Sequence, residues 1–472
     1  MTATNNDKDL MQARLYLAAL GTDNALTEDA HLRREESLGA LPALLANFNT
    51  SQLAIDQLCT AYMMCSYGER FDKHTIKLAI NALFKREMLH EGILPGYATP
   101  KRKGAKPHLL IVSTFMRSTH AMFRWYAKAI RGMRRHFEIT GLTFTDLDEA
   151  GAALFDRAIV APMTPAPFYK MVEQVTALIN DAGPDAIFYA DTAMHPFGIC
   201  LSNLRLAPLQ VLAAGHPASS YSRQVDYFMI EDVYAKALAH FTERPALIAE
   251  STHAIELPIA LPIAEREDST VRVLVPATMP KLSYPLLKAC AKIARALPPA
   301  VELHITTHAE PSDFPLIEHQ IHSIVPSAKC YPRLSTALYF YLLDQCSVFA
   351  NPFPFGGSTT VLDCLSRGMP GVSMTGTEMF ELSGPVTMRR CELPTLGTIA
   401  HSEREYVSAV INLAINRPLR EQYAHNLRTL FGSPERLPIF APRAQGYGDK
   451  LATLYDQRSA SNGRPRNRIA YA

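Results

Sequence analysis

The sequence predicts an α/β chain of two successive doubly wound, Rossmann-like sheets, preceded by an all-helical region. Three observations carry this. Residues 8 to about 95 follow helical apolar spacing and, apart from Gly39, Gly68 and Gly92, carry little strand punctuation. From residue 108 short apolar runs alternate with helical stretches. The alternation restarts at residue 271, after a Pro- and Ala-rich segment at 240–268 that suits an interdomain connection.

In the first region Leu41, Leu44, Leu45 and Phe48 share one helical face. Leu58, Tyr62 and Met63 share another, and Ile76, Leu78, Ile80 and Leu83 a third. GILPGYATPKRKGAKP, residues 92–107, breaks the pattern as a linker or exposed loop. Expected strands follow at 108–115, 137–144, 185–190, 208–217 and 226–232, with helices near 121–136, 168–182 and up to Arg205. The second series places strands at 271–278, 301–308, 347–353 and 370–376, with helices at 284–296, at 335–344 and from about Thr360. Two open sheets of this kind place a ligand crevice outside the carboxyl ends of the strands, between the domains.

The expected domains are 1–100 (helical), 101–262 and 263–457 (one sheet each), with a disordered tail at 458–472. With 472 residues, 48% hydrophobic, one core is too few. A charged fraction of 19% and a net charge of +2 indicate neither a disordered chain nor a strongly steered nucleic-acid binder. Met1 to Leu10 is polar, so no secretory signal is expected, and no apolar window reaches the ~18 residues of a membrane span. The eight cysteines show no Cys-x-x-Cys or zinc spacing and are expected to be buried free thiols in a reducing cytoplasm.

NPFPFGGSTTVLDCLSRGMPGV, residues 351–372, is the most informative segment. A strand ends at Asn351, Gly356 and Gly357 admit close backbone approach, and Ser358, Thr359 and Thr360 open a helix. The unpaired N–H groups and positive dipole end of that helix suit a diphosphate. Asp363, one turn in, is placed to accept from ribose hydroxyls. The plain structural alternative is a Ser/Thr N-cap with an acid in the first turn. PATMPKLS, residues 276–283, sets Lys281 at the mouth of the crevice, where it would offset charge on a leaving diphosphate. A surface lysine is the alternative. AAGHPASSYS, residues 213–222, holds His216 between Gly215 and Pro217 after a strand, as a base or phosphate ligand, or as a structural histidine. His120, after the first strand, is a similar candidate. The Asp-Leu-Asp at 146–148 formally matches a metal motif, but its surroundings read as a solvated loop, and no metal is expected.

Taken in order, CSYGERFDKHTIKLAINALFKR, FMRSTHAMFRWY, SNLRLAPLQVLAAGHPASSYS, DYFMIEDVY, PATMPKLS and NPFPFGGSTTVLD resemble one family. It is that of the bacterial cytoplasmic N-glycosyltransferases that modify high-molecular-weight adhesins, in glycosyltransferase family 41, with O-GlcNAc transferase as a distant relative. The resemblance spans roughly residues 55–455. It implies an α/β, GT-B fold with an all-helical N-terminal domain. It also implies a UDP-sugar co-substrate, usually UDP-glucose, an asparagine acceptor in Asn-x-Ser/Thr of a protein such as an adhesin or autotransporter, and inversion without a metal or other cofactor. By motif match Lys281 and His216 are the catalytic candidates. Thr278, Lys281, Arg333, Gly356, Gly357, Ser358, Thr359, Thr360 and Asp363 lie on the donor side. Arg117, His120 and Arg205 are acceptor-side candidates.

Four departures accompany the match, one of them a helical domain shorter than is usual in the family. Gly356-Gly357-Ser358-Thr359-Thr360 is nearer the O-GlcNAc transferase version of the phosphate loop than the adhesin version. His308-Ala309 stands where the adhesin branch carries Gly-Gln, and Arg333 where it carries a histidine. Transfer to Ser/Thr, or nucleotide or partner binding without transfer, are the alternative readings.

Overall fold

The computed structural model describes residues 5–21, 25–98, 105–161, 166–257, 261–393, 397–441 and 444–460. The chain forms two compact units, each from two stretches: residues 1–80 with 257–441, and residues 81–256 with 442–472.

Four helices open the chain: α1 (Asn5–Gly21), α2 (Glu28–Leu45), α3 (Ile55–Met64) and α4 (Thr75–His90). Thr27 caps α2 by accepting from the Ala30 N–H at 3.3 Å. The first sheet region follows as β1 (His108–Ser113), α5 (Ala121–Met133), β2 (Glu138–Thr143), α6 (Glu149–Ala152), β3 (Arg157–Val160), α7 (Phe168–Ala182), β4 (Ala186–Tyr189), α8 (Pro196–Ser202), β5 (Leu209–Leu212), β6 (Tyr227–Glu231) and β7 (Arg244–Ile248). The second comprises β8 (Val271–Pro276), α9 (Tyr284–Ala296), β9 (Val301–Thr306), α10 (Phe314–Ile324), β10 (Lys329–Tyr331), α11 (Thr336–Gln345), β11 (Val348–Ala350), α12 (Thr359–Ser366), β12 (Gly371–Met374), α13 (Met379–Arg390), β13 (Ile399–Ala400), α14 (Glu403–Ile415) and α15 (Arg417–Phe431). The last described helix is α16 (Gly446–Ala460).

Both sheets are parallel. Their orders are β3-β2-β1-β4-β5-β6-β7 and β10-β9-β8-β11-β12-β13. Strand order reverses beside β1 in the first sheet and beside β8 in the second. Ligands of doubly wound sheets bind at the carboxyl ends of such strands. The inner strands are apolar on both faces because helices cover both faces. In the first sheet Leu109, Ile111, Phe188 and Val211 pack with Ala127 and Ile130 of α5 and with Tyr447 and Leu451 of α16. A Cβ on Gly132 would collide with the Ala444 carbonyl, so a glycine there lets α5 lie close to the segment entering α16.

The helical region shares its core with the second sheet. Leu26 is buried among Val273, Leu286, Ile293 and Val410, and the Tyr284 N–H donates to the Ala25 carbonyl at 3.0 Å. Residues 1–80 therefore group with 257–441 rather than standing apart, and α16 groups with the first sheet.

Two sequence expectations are corrected. The 240–268 connection contains strand β7. The tail expected from Arg458 begins inside α16, and residues 461–472 lie outside the described residues.

Candidate active site

The candidate phosphate loop lies between β11 and α12. Asn351, at the end of β11, organises it. Its side-chain oxygen accepts from the Gly357 N–H at 2.9 Å, and its side-chain nitrogen donates to Ser373 Oγ at 3.0 Å. Tyr406 clamps the same turn by donating to the Asn351 carbonyl at 2.9 Å. Cβ atoms on Gly356 and Gly357 would lie 3.0 and 3.1 Å from the Asn351 amide, so small residues suit both positions. The Gly357 N–H is thus spent internally. The donors left for an anion are those that open α12, at Thr359 and Thr360, where a helix has no acceptors of its own. Thr387 donates to the Ser383 carbonyl at 2.9 Å, so the Ser358 hydroxyl, 3.1 Å from Thr387 Oγ1, is the donor of that pair. Asp363 sits on α12, 7% exposed.

Lys281 closes the short turn after β8 (Met279–Lys281), whose first residue is preceded by the extended, half-buried Thr278. The Lys281 N–H donates to the Thr278 carbonyl at 2.9 Å. Its ammonium lies 5.6 Å from the centre of the Phe355 ring, beside the phosphate loop. Burial pushes its pKa down to about 8. Lys281, Thr278 and the loop 355–360 are therefore brought together at the carboxyl ends of β8 and β11.

The helical region continues this assembly. Tyr67 stacks on Phe355 at 4.2 Å, and Phe355 stacks on Phe380 of α13 at 4.6 Å and 6°. Lys73 lies 5.0 Å over the Phe380 ring and pairs with Glu378 at 2.6 Å. His74 Nε2 meets the other Glu378 oxygen at 2.7 Å. Glu378 caps α13 in a capping box with Glu381. Burial holds His74 at about 4, against the opposing pull of Glu378. Burial would raise Glu378, but the His74 bond and the Lys73 charge outweigh it and hold it at about 2.

In the first-sheet unit, His216 follows β5 in a buried loop, 6% exposed. A Cβ on Gly215 would collide with the Ala190 carbonyl, so this loop passes tightly against the end of β4. Glu243 fixes its far side by accepting from Ser219 Oγ at 2.7 Å and the Ser220 N–H at 2.8 Å. Asp191, at the end of β4, accepts from the Thr114 N–H at 2.9 Å and Oγ1 at 2.7 Å, and burial raises its pKa despite these bonds.

The acceptor-side candidates are placed differently. His120 is the N-cap of α5, its Nδ1 accepting from the Met122 N–H at 3.2 Å, with its ring stacked on Phe115. Arg205 is committed to structure. It pairs with Asp226 at 2.9 Å and donates to the carbonyls of Gln224, at 2.9 Å, and Pro208. Arg117 is exposed, near Asp148. Asp148 of the Asp-Leu-Asp segment is the N-cap of α6, accepting from Gly151 at 2.9 Å and Ser118 at 3.0 Å.

Arg333 is exposed and pairs with Glu310 at 2.6 Å, while its N–H donates to the Ala309 carbonyl at 2.8 Å. His308 beside it has φ +59°, a left-handed conformation that favours glycine. The departures His308, Ala309 and Arg333 thus form one cluster.

Sequence reasoning missed Asn351, Phe380 and Glu378 as organisers of the loop. Tyr67, Lys73 and His74 lay within a quoted motif, but nothing in their spacing points to a partner some 300 residues away.

Residues 3–88 match the family model described as HMW1 domain 2. Two curated relatives from Actinobacillus pleuropneumoniae, serotype 5b (strain L20) and serotype 7 (strain AP76), are each named UDP-glucose:protein N-beta-glucosyltransferase. Both are 29% identical, over 430 and 425 residues, covering 86% of this chain. The chain spans 66% of the length of either relative. Among solved structures, a mutant O-GlcNAc transferase from Thermobaculum terrenum matches 98% of this chain and 99% of its own, with TM-score 0.64 and 16% identity. That likeness shows the fold, a GT-B pair of Rossmann-like sheets behind a helical region.

Proposed function

We propose that this chain belongs to the HMW1-type branch of glycosyltransferase family 41 and transfers a hexose from a UDP-sugar, glucose first, to asparagine of an acceptor protein. The acceptor sequence is Asn-x-Ser/Thr. The observation that carries this reading is Lys281 held beside Phe355 at the phosphate loop, where α12 opens. The names of the two curated relatives support the donor and the acceptor.

In the proposed reaction the amide nitrogen attacks the anomeric carbon on the face opposite the diphosphate. The carbon–oxygen bond breaks, UDP leaves with the electron pair, and configuration inverts. Lys281 and the N–H groups of Thr359 and Thr360 stabilise the charge that develops on the leaving diphosphate. They do so without a metal ion. The amide must lose a proton, and His216 is the proposed acceptor for it. Asp363 and Thr278 are proposed to hold the nucleotide. The sugar choice is assigned to the His308–Ala309–Arg333 cluster, where this chain departs from the adhesin branch. The proposed setting is the cytoplasm, with an adhesin or autotransporter as acceptor. No helix among the described residues is long and apolar enough to cross a membrane.

A second reading, transfer to Ser/Thr, is favoured by one observation: the Gly357-Ser358-Thr359-Thr360 loop. The test is intact-mass and fragmentation analysis of Asn-x-Thr peptides after incubation with the chain and a panel of UDP-sugars. A hexose-sized gain on asparagine is expected. A gain on Ser or Thr would replace the first reading by the second, and UDP binding without any gain would contradict both.

A further inference from the structure

Glu318 and His322 lie four residues apart on α10, so they share one face of the helix. Cys330 stands on β10, the edge strand that follows. One ligating atom from each of the three lies within 4.8 Å of the other two. From these residues we propose a binding site for one divalent transition-metal ion of the zinc class.

The distance is close to what an ion needs. Tetrahedral zinc at about 2.0–2.3 Å from each ligand sets neighbouring ligand atoms roughly 3.5 Å apart. Closing from at most 4.8 Å asks for rotamer adjustments of no more than about 1 Å, which half-buried side chains can make.

Two of the three groups are also uncommitted. Among the described residues Glu318 has no ion pair and the Cys330 thiol no hydrogen bond. Nearby Glu302 is the opposite case, being taken by Lys329 at 2.6 Å, His304 at 3.0 Å and Arg272 at 3.3 Å. His322 Nε2 lies 2.8 Å from the Ala328 carbonyl. A carbonyl only accepts, so a neutral ring carries its proton on Nε2 and leaves Nδ1 with a free lone pair. Metal-binding histidines are held in this way by a backbone carbonyl.

The donor set points to the class of ion. A thiolate and an imidazole favour zinc-like ions over magnesium or calcium, and thiolate plus carboxylate neutralise a double charge. Seven of the eight cysteines are buried, whereas Cys330 is half-buried and keeps a route of entry. Binding would exchange the thiol proton for the metal. It would clip the three-residue edge strand β10 to α10, and β10 leads directly into Arg333. The ion acts on this edge and not on the diphosphate.

The test uses the full chain, free of any affinity tag, stripped with chelator and titrated with cobalt(II). One cobalt per chain and a thiolate-to-cobalt charge-transfer band are expected. The band should vanish in Cys330→Ser, and stoichiometric uptake should be lost in His322→Ala and weakened in Glu318→Gln. Zinc should also slow modification of Cys330 by a thiol reagent in the unaltered chain, a readout that needs no variant to fold. A missing band, a band that persists in Cys330→Ser, or labelling unchanged by zinc would overturn the proposal.

Discussion

His74 and Glu378, 304 residues apart in the chain, meet with Nε2 2.7 Å from the carboxylate oxygen. The contact ties the start of α4 to the cap of α13, the helix that backs the candidate phosphate loop. It also sets a pH dependence. His74 titrates at about 4 in the fold and at 6.5 when exposed, so the unfolded chain takes up its proton first. Stability contributed by neutral His74 is present above pH 6.5 and lost as pH falls toward 4. Glu378, held at about 2 against an ordinary 4.5, adds a further loss below 4.5. Denaturant unfolding should show stability falling over this window, and His74→Gln should flatten its upper part.

Removing Glu378 leaves the Lys73 ammonium, only 5% exposed, without its carboxylate. Glu378→Ala should cost about 3–5 kcal/mol, as for one-sided deletions of buried pairs. Equilibrium unfolding at neutral pH measures it.

Desolvation of the half-buried Lys281 ammonium pulls its pKa down to about 8. Below that pH the amine is charged and attracts diphosphate, and above it the free protein loses the charge. The KM for the UDP-sugar should therefore rise above about pH 8, with kcat less affected because bound diphosphate favours the protonated amine. Initial rates across pH test this, and a flat KM would contradict the assignment.

Gly384 on α13 packs under the loop. A Cβ there would collide with the Asn351 side-chain nitrogen and lie 2.9 Å from Ser373 Oγ. Gly384→Ala should displace Asn351 from Gly357 and weaken UDP binding by roughly tenfold, for a strain of about 1–3 kcal/mol. Calorimetric titration with UDP reads it.

Arg205 is expected to behave as a structural residue. Arg205→Ala should lower stability by about 1–3 kcal/mol. It should leave kcat/KM per folded molecule unchanged. Thermal melting beside single-concentration rates separates the two.

The inner strands were legible in the sequence because burial on both faces demands continuous apolar runs, as in Leu109–Val112 and Val273–Val275. The strands that escaped are β3, β7, β10 and β13, the four sheet edges. An edge strand meets solvent and can be short and largely exposed, as Arg157–Val160 and the Pro-bearing Arg244–Ile248 are.

At the site, the turn from Gly356 to Thr360 and the position of Lys281 just after β8 were legible because glycines at a strand end, hydroxyl residues at a helix start and a loop after an apolar run are local signals. Spacing could not reveal that Asn351 consumes the Gly357 N–H, or that carbonyls and Asp226 engage Arg205. Those facts depend on how the chain closes on itself, as does the Tyr67–Phe355–Phe380 stack.

The most direct test is single-turnover transfer from UDP-glucose to an Asn-x-Thr peptide, read by intact mass for the unaltered chain and for Lys281→Ala. A hexose on asparagine, formed about 100- to 1,000-fold more slowly in the variant, is the predicted result. Transfer at an undiminished rate in Lys281→Ala, or none in the unaltered chain, would contradict the account.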